Sequence, residues 1–543
     1  MKKLILLSIS TLAFANFDAT NGYDITTRNI EHPSAYISQM CYTKTKDEQG
    51  KAHNPCFACH TKPKEPNPNY EDEKFQSVYN FPAPALKNPF KNLFKDFSSI
   101  ANKISNKEIE EYVAKDNYLK DGKIILAKKL KHLPKEWDYD KDGKWDGYIP
   151  DCYFNFDNEG FDRDNNGNYT GWRAFGYTPF LGTFWPTNGS FDDVLIRLPK
   201  IYRQDESGKF NKEVYKINLS VVEAMIKAKD IKIEPIDERK YGVDLNKNGK
   251  LDIAKVIKYE WEPNKGIFMS YVGKAKKLFV DGKIKMAARL YPKGTEFLHS
   301  VRYIGIKDGK VYFPKRMKEL RYAKKTSWLT YANLQNIGMK KLQEKDTDPD
   351  NLEVFVGDME RGMHTLGWVY QGLIDDKRGS LLPQSNEETL NCMGCHSGIG
   401  ATTDTTFAFP RKLDSFKNGW FHWSQKGLKG IKEPKFDNGE YEYTTYLKLN
   451  NYGDEFRENS EVKAKFFDKD GKLKDNMIEK LHNDISILLL PSDKRAYNLN
   501  RGYMSLVKTQ DFIDGKAGHI KPFKNVYKEV KENQETGNKV FLP

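Results

Sequence analysis

Two short motifs place the strongest constraint on how this chain of 543 residues can fold. The first is Cys56-Phe-Ala-Cys59-His60 and the second is Cys392-Met-Gly-Cys395-His396, so both have the form Cys-x-x-Cys-His. Two thiols three positions apart, with a histidine directly after them, can hold one flat prosthetic group by two thioether bonds and an imidazole.

Haem c is the prosthetic group that this spacing favours. Each thiol can add to one vinyl group of the same haem, and the adjacent imidazole then reaches the iron. We therefore predict two haem c cofactors. The predicted attachment residues are Cys56, Cys59, Cys392 and Cys395, and the predicted proximal iron ligands are His60 and His396. A redox cysteine pair or half of a zinc site is the alternative, but either would leave the following histidine unexplained.

The two motifs resemble the attachment sites of c-type cytochromes, and the resemblance covers these ten residues only. It implies thioether-bound haem and does not extend to the rest of the chain. The sixth iron ligand decides between electron transfer and catalysis, since an open position permits peroxide or oxygen chemistry. For the second haem we favour His364, which precedes Cys392 by 28 residues. Its rivals are Met359, Met363, His422 and Met504, and the candidates for the first haem are His32, Met40 and His53.

The two remaining cysteines are Cys41 and Cys152. Disulfides form in exported proteins, so we expect one between these two residues. A thiolate iron ligand or a reactive thiol is the sharper alternative, and two separate buried thiols are the third reading.

The N-terminus predicts export. Residues 1–15 begin with Met-Lys-Lys and continue as an apolar run that ends in Ala13-Phe14-Ala15, a small-x-small cleavage signal. A buried N-terminal helix is the alternative. We expect a periplasmic protein, with an extracellular or surface-associated location as the other possibility. No cysteine directly follows the run, so the sequence predicts no lipid anchor there, and no later segment has the roughly 18 apolar residues of a membrane helix.

The charge pattern argues against nucleic-acid binding. The net charge is +13, but lysines and acids alternate along the chain, as in residues 463–470. Interleaved charge of this kind is typical of a solvated surface. A nucleic-acid-binding protein more often concentrates its basic residues in a stripe or an arm, and this sequence has neither.

Three loops alternate oxygen-bearing side chains with turn residues. This alternation points several carboxylates at one centre, which suits a hard cation such as calcium. The predicted ligands are Asp138, Asp140, Asp142 and Asp146 in the first loop, Asp162, Asp164 and Asn166 in the second, and Asp244, Asn246, Asn248 and Asp252 in the third. The loops lack the final glutamate of an EF-hand and look more like the short calcium loops of dockerin-type and thrombospondin-type repeats. A polar hairpin turn is the alternative for each.

The pattern of the whole chain predicts an α+β fold. Helical and loop segments carrying the haem groups flank a central antiparallel, hairpin-rich region with the acidic loops. We divide the chain into a signal peptide (1–15), an N-terminal haem region (16–120), an aromatic- and hairpin-rich region (121–349) and a C-terminal haem region (350–543). One expected hairpin joins 301–306 to 311–313 across Asp308-Gly309.

The leading functional hypothesis is an exported di-haem c-type cytochrome that exchanges single electrons with redox partner proteins. This hypothesis favours an electron-transfer protein over an enzyme. The alternative is a peroxidase-like di-haem oxidoreductase with one open catalytic haem. It resembles the bacterial di-haem peroxidases in haem count and compartment, although the 336 residues between the motifs exceed the spacing expected for that family. A binding or surface-associated module is the third hypothesis. The sequence indicates neither a catalytic residue nor an oligomeric state.

Overall fold

An antiparallel sheet forms the centre of the protein, which we describe from a computed structural model. The structure describes residues 30–44, 56–68, 78–180, 186–414, 419–454 and 457–537. The predicted signal peptide lies outside these residues. Within them, helix and antiparallel strand are mixed along the chain, which confirms the α+β class.

Among the described residues, the three longest helices lie at residues 212–227, 331–347 and 493–509, and the others have nine residues or fewer. The helices are α1 (Cys56–Cys59), α2 (Ser98–Ala101), α3 (Asn106–Ala114), α4 (Ile125–Lys131), α5 (Lys212–Lys227), α6 (Lys274–Val280), α7 (Tyr331–Thr347), α8 (Asn386–Met393), α9 (Ala408–Arg411), α10 (Glu442–Asn450), α11 (Ser460–Phe466), α12 (Asp475–Asn483), α13 (Ser486–Leu489) and α14 (Asp493–Thr509). No helix in the described ranges combines the length and the apolar character that a bilayer crossing requires.

Strands are concentrated between residues 161 and 383. They are β1 (Val78–Tyr79), β2 (Leu119–Lys120), β3 (Lys123–Ile124), β4 (Phe161–Arg163), β5 (Tyr169–Ala174), β6 (Phe191–Asp192), β7 (Leu195–Arg197), β8 (Ile231–Asp237), β9 (Ile253–Ile257), β10 (Glu296–Arg302), β11 (Gly305–Lys307), β12 (Lys310–Tyr312), β13 (Met317–Lys325), β14 (Val356–Asp358), β15 (Gly362–Thr365), β16 (Trp368–Asp375), β17 (Leu381–Pro383), β18 (Gly453–Asp454), β19 (Arg457–Glu458) and β20 (Gln534–Glu535).

The central sheet has the strand order β14-β15-β16-β13-β10-β7-β5-β4, with β17 beside β16 and β6 beside β10. Every pair is antiparallel. The sheet runs across the predicted boundary at 349/350, since β13 and β16 are neighbours. In addition, β1 pairs with β20, so the two ends of the described chain meet.

Both faces of the sheet are buried. Phe297 and Leu298 are consecutive on β10, and they belong to two different hydrophobic clusters because successive side chains of a strand point to opposite faces. All eight residues of β16 are buried. The larger cluster also contains Phe57 of the first motif and Met393 of the second, so the motifs pack against the core that covers one face.

One local prediction, a hairpin around Asp308-Gly309, matches the structure. The predicted hairpin forms between β11 and β12, with Asp308-Gly309 in its turn. Between residues 98 and 114 the chain forms two helices, α2 and α3, and not one continuous helix. Ser105 ends the break by accepting a hydrogen bond from the backbone N–H of Glu108, which starts α3 as a separate helix.

A buried ion pair fixes one end of the two central strands. The guanidinium of Arg316, one residue before β13, donates to both carboxylate oxygens of Asp375 at the end of β16, at 2.8 and 3.0 Å. The hydroxyls of Tyr112 and Tyr303 also donate to Asp375, each at 2.8 Å. Both charges are excluded from water, so each depends on the other for stabilisation.

We expect the substitution Arg316→Met to lower the free energy of unfolding by about 3–5 kcal/mol, because it leaves the carboxylate of Asp375 buried without its counter-charge. Urea unfolding followed by circular dichroism measures this loss. Lys107→Met is the control, since Lys107 and Glu111 form an exposed pair 3.9 Å apart that contributes about 0–1 kcal/mol. Equal losses in the two variants would contradict the structural role of the buried pair.

Candidate prosthetic-group site

The two Cys-x-x-Cys-His motifs lie side by side, although 336 residues separate them in the sequence. A first cavity of about 480 Å³ is lined by Cys56, Cys59 and His60, and by Cys395 of the other motif. A second cavity, of about 320 Å³, is lined by Cys392, Cys395 and His396, and by Cys59 of the first motif. Cys59, Cys395 and Met40 line both cavities, which therefore share a wall.

The first motif is held by apolar residues between its cysteines. Phe57 and Ala58 are 2% and 5% exposed and belong to the core, and the ring of Phe57 lies 5.5 Å from that of Tyr446. The backbone N–H of His60 donates to the carbonyl of Cys56 at 2.8 Å, which closes the single turn of α1. Burial of the two intervening residues leaves both thiols at the cavity wall.

The second motif sits on the last turn of α8. A capping box starts this helix: Ser385 accepts from the backbone N–H of Glu388, and Glu388 accepts from that of Ser385 at 2.7 Å. The helix ends at Met393, and Cys395 and His396 follow in a 3₁₀ turn that Gly398 terminates in the left-handed region. The cap thus sets the position of the motif relative to the sheet.

Backbone contacts join the two motif segments. The N–H of Ala401 donates to the carbonyl of Cys59 at 2.9 Å. A Cβ atom at Gly400 would lie 1.9 Å from the carbonyl oxygen of Thr61. The side-chain amide of Asn67 donates to the carbonyl of Ile399 at 3.0 Å. Gly400 therefore allows a separation of the two segments that any larger residue would prevent.

His396 has the hydrogen bonding of a metal-ligating imidazole. Its Nδ1 lies 2.6 Å from the carbonyl oxygen of Thr405. A carbonyl oxygen can only accept, so Nδ1 carries the proton and Nε2 keeps a free lone pair. Burial lowers the pKa of His396 to about 4, which keeps the ring neutral near pH 7. Burial likewise lowers the pKa of His60 to about 4, and within the described residues its Nδ1 has no hydrogen-bond partner.

The motif cysteines are too far apart for a compact metal site, and burial disfavours the thiolate form of two of them. Burial raises the pKa of Cys56 to about 12 and that of Cys395 to about 11. Within the described residues, which include every cysteine, the groups of three or more His, Cys, Asp or Glu with ligand atoms within 4.8 Å of one another contain no cysteine. A preformed zinc or iron–sulfur site needs its sulfur ligands closer than that.

A second imidazole, which the sequence did not point to, lines the second cavity. His299 lies on β10, and Phe297 and Val301, two positions away on either side, line the same cavity. Arg321 stands opposite His299 on β13. Alternation along a strand could have grouped these residues on one face, but it could not show which face meets the cavity.

His364 is exposed on β15 and lines neither cavity, so the structure does not bring it to the second motif. Of its rivals, His422 is buried and bonded to Asp193 at 2.8 Å. Of the candidates for the first site, Met40 lines the cavity, His32 faces Asp514 at 3.5 Å, and His53 lies outside the described residues.

The predicted disulfide between Cys41 and Cys152 is not formed in the structure, where both are free thiols. Cys41 lines the first cavity, whereas Cys152 is fully buried in the cluster on the other side of the sheet. Burial raises the pKa of both thiols, so neither is activated as a nucleophile.

The three acidic loops differ in geometry. In the first, two groups of carboxylates could each hold a cation: Asp138 and Asp140 with the buried Glu360, and Asp140 with Asp142 and Asp146. In the second, Asp162 accepts from the backbone N–H groups of two neighbouring residues, and Asp164 accepts from those of Asn166 and Asn168. In the third, Asp252 accepts from the amides of Asn246 and Asn248, and Asp244 accepts from the N–H of Gly249. The described residues show clustered carboxylates in the first loop alone.

We expect Gly400→Ala to lower the free energy of unfolding by about 1–3 kcal/mol, because the new methyl group must displace the carbonyl of Thr61. Thermal unfolding measures the change. Gly427→Ala is the matched control, since nothing lies within 4 Å of a Cβ at that position. The close contact between the two motif segments would be contradicted if Gly400→Ala and Gly427→Ala had the same melting temperature.

Comparisons with known proteins give one family. The model of a family described as "-like lipoprotein" matches residues 25–486. A protein of Aquifex aeolicus named "Uncharacterized lipoprotein" is 30% identical over 574 residues, an alignment that covers 95% of this chain and 92% of the relative. No solved structure matches the chain.

These findings correct the resemblance to c-type cytochromes. Both matches are to lipoproteins and neither is to a cytochrome family, so the identification as a di-haem c-type cytochrome is wrong. The predicted single-electron transfer and the peroxidase-like alternative are wrong with it. A lipoprotein family agrees with the predicted export, but it differs from the expectation of a protein without a lipid anchor. The chain belongs to this "-like lipoprotein" family.

Proposed function

We propose that this protein is an exported cofactor-binding protein that holds two prosthetic groups in its adjoining cavities, with haem c as the group at each motif. The observation that carries the proposal is the combination of two thiols and a neutral imidazole at one cavity wall, with Nδ1 of His396 bonded to the carbonyl of Thr405. That bond leaves Nε2 available to a metal.

The dimensions of the site support this cofactor class. Cavities of about 480 and 320 Å³ are in the range that enclosed organic ligands occupy in proteins, and far exceed what a single metal ion needs. Thiols spread along a cavity wall suit attachment to the edge of a large ring. In the first cavity, Cys56, Cys59 and His60 would hold one group; in the second, Cys392, Cys395 and His396 would hold the other.

Export and membrane association are the cellular part of the proposal. The predicted signal at residues 1–15 and the lipoprotein family both favour a protein on the outer side of the cytoplasmic membrane. The periplasm is the compartment that we propose, with the chain associated with a membrane surface. Nothing among the described residues identifies a partner protein.

Covalent attachment is tested by denaturing the exported protein and measuring its intact mass and haem absorbance. We expect two groups to remain on the native sequence, because thioether bonds survive unfolding. Removing the thiols of either motif (Cys56→Ser with Cys59→Ser, or Cys392→Ser with Cys395→Ser) should leave one group. Cys152→Ser, which removes a thiol outside both cavities, should leave two. A denatured native chain with the mass of the polypeptide alone would overturn the proposal.

Calcium in the first acidic loop is the second cofactor that we propose. The buried Oδ1 of Asp138 has no hydrogen-bond partner within the described residues, and it lies beside Asp140 and Glu360. The guanidinium of Arg361 is a competing cation, since it donates to Asp146 at 2.7 Å and to Asp358 at 3.1 Å. A bound calcium ion would satisfy the oxygen of Asp138, which Arg361 does not reach in these contacts.

We expect calcium to raise the melting temperature, because a ligand present at 100 times its dissociation constant stabilises the folded state by about 2.7 kcal/mol. Asp138→Asn should abolish this shift, whereas Asp470→Asn, at an exposed Asp-Gly turn, should retain it. Calorimetric melting with and without calcium measures both. If the native chain melted at the same temperature in calcium and in chelator, the loop would bind no calcium, and Arg361 alone would neutralise its carboxylates.

A further inference from the structure

The second cavity has an excess of positive charge in its lining. The cationic side chains are Lys318, Arg321, Arg411, Arg457 and Lys516, and the carboxylates are Asp192 and Glu319. The imidazoles of His299 and His396 add no charge, because burial lowers the pKa of both to about 4. A buried surface of this composition attracts anions.

Part of this charge is balanced by carboxylates. Arg321 donates to Glu319 at 2.8 Å, and Arg411 donates to Glu442, outside the cavity, at 2.7 Å. Asp192 faces the imidazole of His299 at 3.7 Å, and burial and the neighbouring Asp193 raise the pKa of its carboxyl well above the usual range. The lining therefore keeps lysines that these carboxylates do not neutralise.

Lys318 is the deepest of these groups. It is 4% exposed, and its ammonium donates to the carbonyl of Gly189 at 2.6 Å and to the hydroxyl of Ser190 at 3.1 Å, both neutral acceptors. The ammonium also lies 4.3 Å from the ring centre of Tyr503. Within the described residues it has no carboxylate within 4.0 Å. Burial and the charge of Arg457 lower the pKa of Lys318 to about 7, so an anion beside it would restore its charge.

Lys516 also lines this cavity and bonds to a neutral acceptor. Its ammonium donates to the backbone carbonyl of Glu388 at 3.0 Å, and again the described residues place no carboxylate within 4.0 Å of it. Lys516 and Arg321 both act electrostatically on Glu319, so they lie in the same part of the cavity. An ammonium that is shielded from water without a hydrogen-bonded counter-charge is costly, which applies most to Lys318, and a bound anion removes that cost.

We infer that the end of the second cavity formed by Lys318, Arg457 and Lys516 binds an oxygen anion, a carboxylate or a small oxoanion. Lysine ammonium groups and an arginine guanidinium are the donors that proteins use for such anions. The anion could come from the propionate groups of the attached cofactor or from free solution. Only the first of these sources rests on the proposed function.

Calorimetric titration with inorganic sulfate and with propionate tests the inference on the full chain. Sulfate binding to the exported protein as isolated would identify a free oxoanion as the ligand. Binding that arises only in the variant Cys392→Ser with Cys395→Ser would show that the carboxylates of the attached group occupy the site in the native protein. No binding of either probe in either form would overturn the inference.

The lysines are tested by Lys318→Met and Lys516→Met, each measured in the form that binds the probe. We expect the dissociation constant for sulfate to rise about tenfold in each, which is about 1.4 kcal/mol, since each variant loses one charge-assisted contact with the anion. Lys516 is only half-buried, so its variant serves if Lys318→Met does not fold. Lys469→Met, at an exposed position, should bind as the native chain does. If all three variants lost the same affinity for sulfate, the anion would be attracted by the overall positive charge of the protein, and the proposed site would be wrong.

The two proposals fail separately. A preparation that carries no attached group but binds sulfate through Lys318 and Lys516 would remove the proposed cofactor and leave the anion site in place. In the opposite case, a preparation carries two attached groups and binds no sulfate, with no binding in its second-motif variant either. That result would support the proposed cofactor and remove the anion site.

Discussion

The contact between the backbones of the two motif segments is the constraint on which the rest of the site depends. The hydrogen bond from Ala401 to the carbonyl of Cys59 and the close approach of Gly400 to Thr61 place Cys59 and Cys395 on a common wall. Because of this contact, Cys395 lines the cavity of the first motif and Cys59 lines the cavity of the second.

The sheet makes this contact possible over so long a sequence. Strands β10, β13 and β16 place one face under the second cavity and bury the opposite face against α14. The buried pair of Arg316 and Asp375 then links β13 to the end of β16, shortly before α8 begins. The capping box fixes the start of α8 just after the last strand of the sheet, and Cys392 lies near the end of that short helix. The sheet therefore determines the position of the second motif.

The sequence predicted what depends on nearby residues. The α+β class and the hairpin at Asp308-Gly309 both follow from local periodicity and turn chemistry. The pairing of β13 with β16, and of residue 59 with residue 401, could not be predicted, because nothing in the local pattern specifies a partner hundreds of positions away. His364 shows the same limit: it is near Cys392 in sequence, but on β15 its side chain is exposed to solvent.

Some residues that line the second cavity lie within the range matched by the family model, and others come after it. Residues 25–486 include both motifs and every strand of the central sheet, so the framework of the cavities lies within the part that defines the family. Tyr503 and Lys516 come after that part, yet both line the second cavity and Lys516 adds to its positive charge. The motifs and the sheet can therefore build the cavity, while the segment that follows contributes to its charge. On that division, a change at Lys516 should alter which anion the cavity accepts without altering whether the two motifs meet.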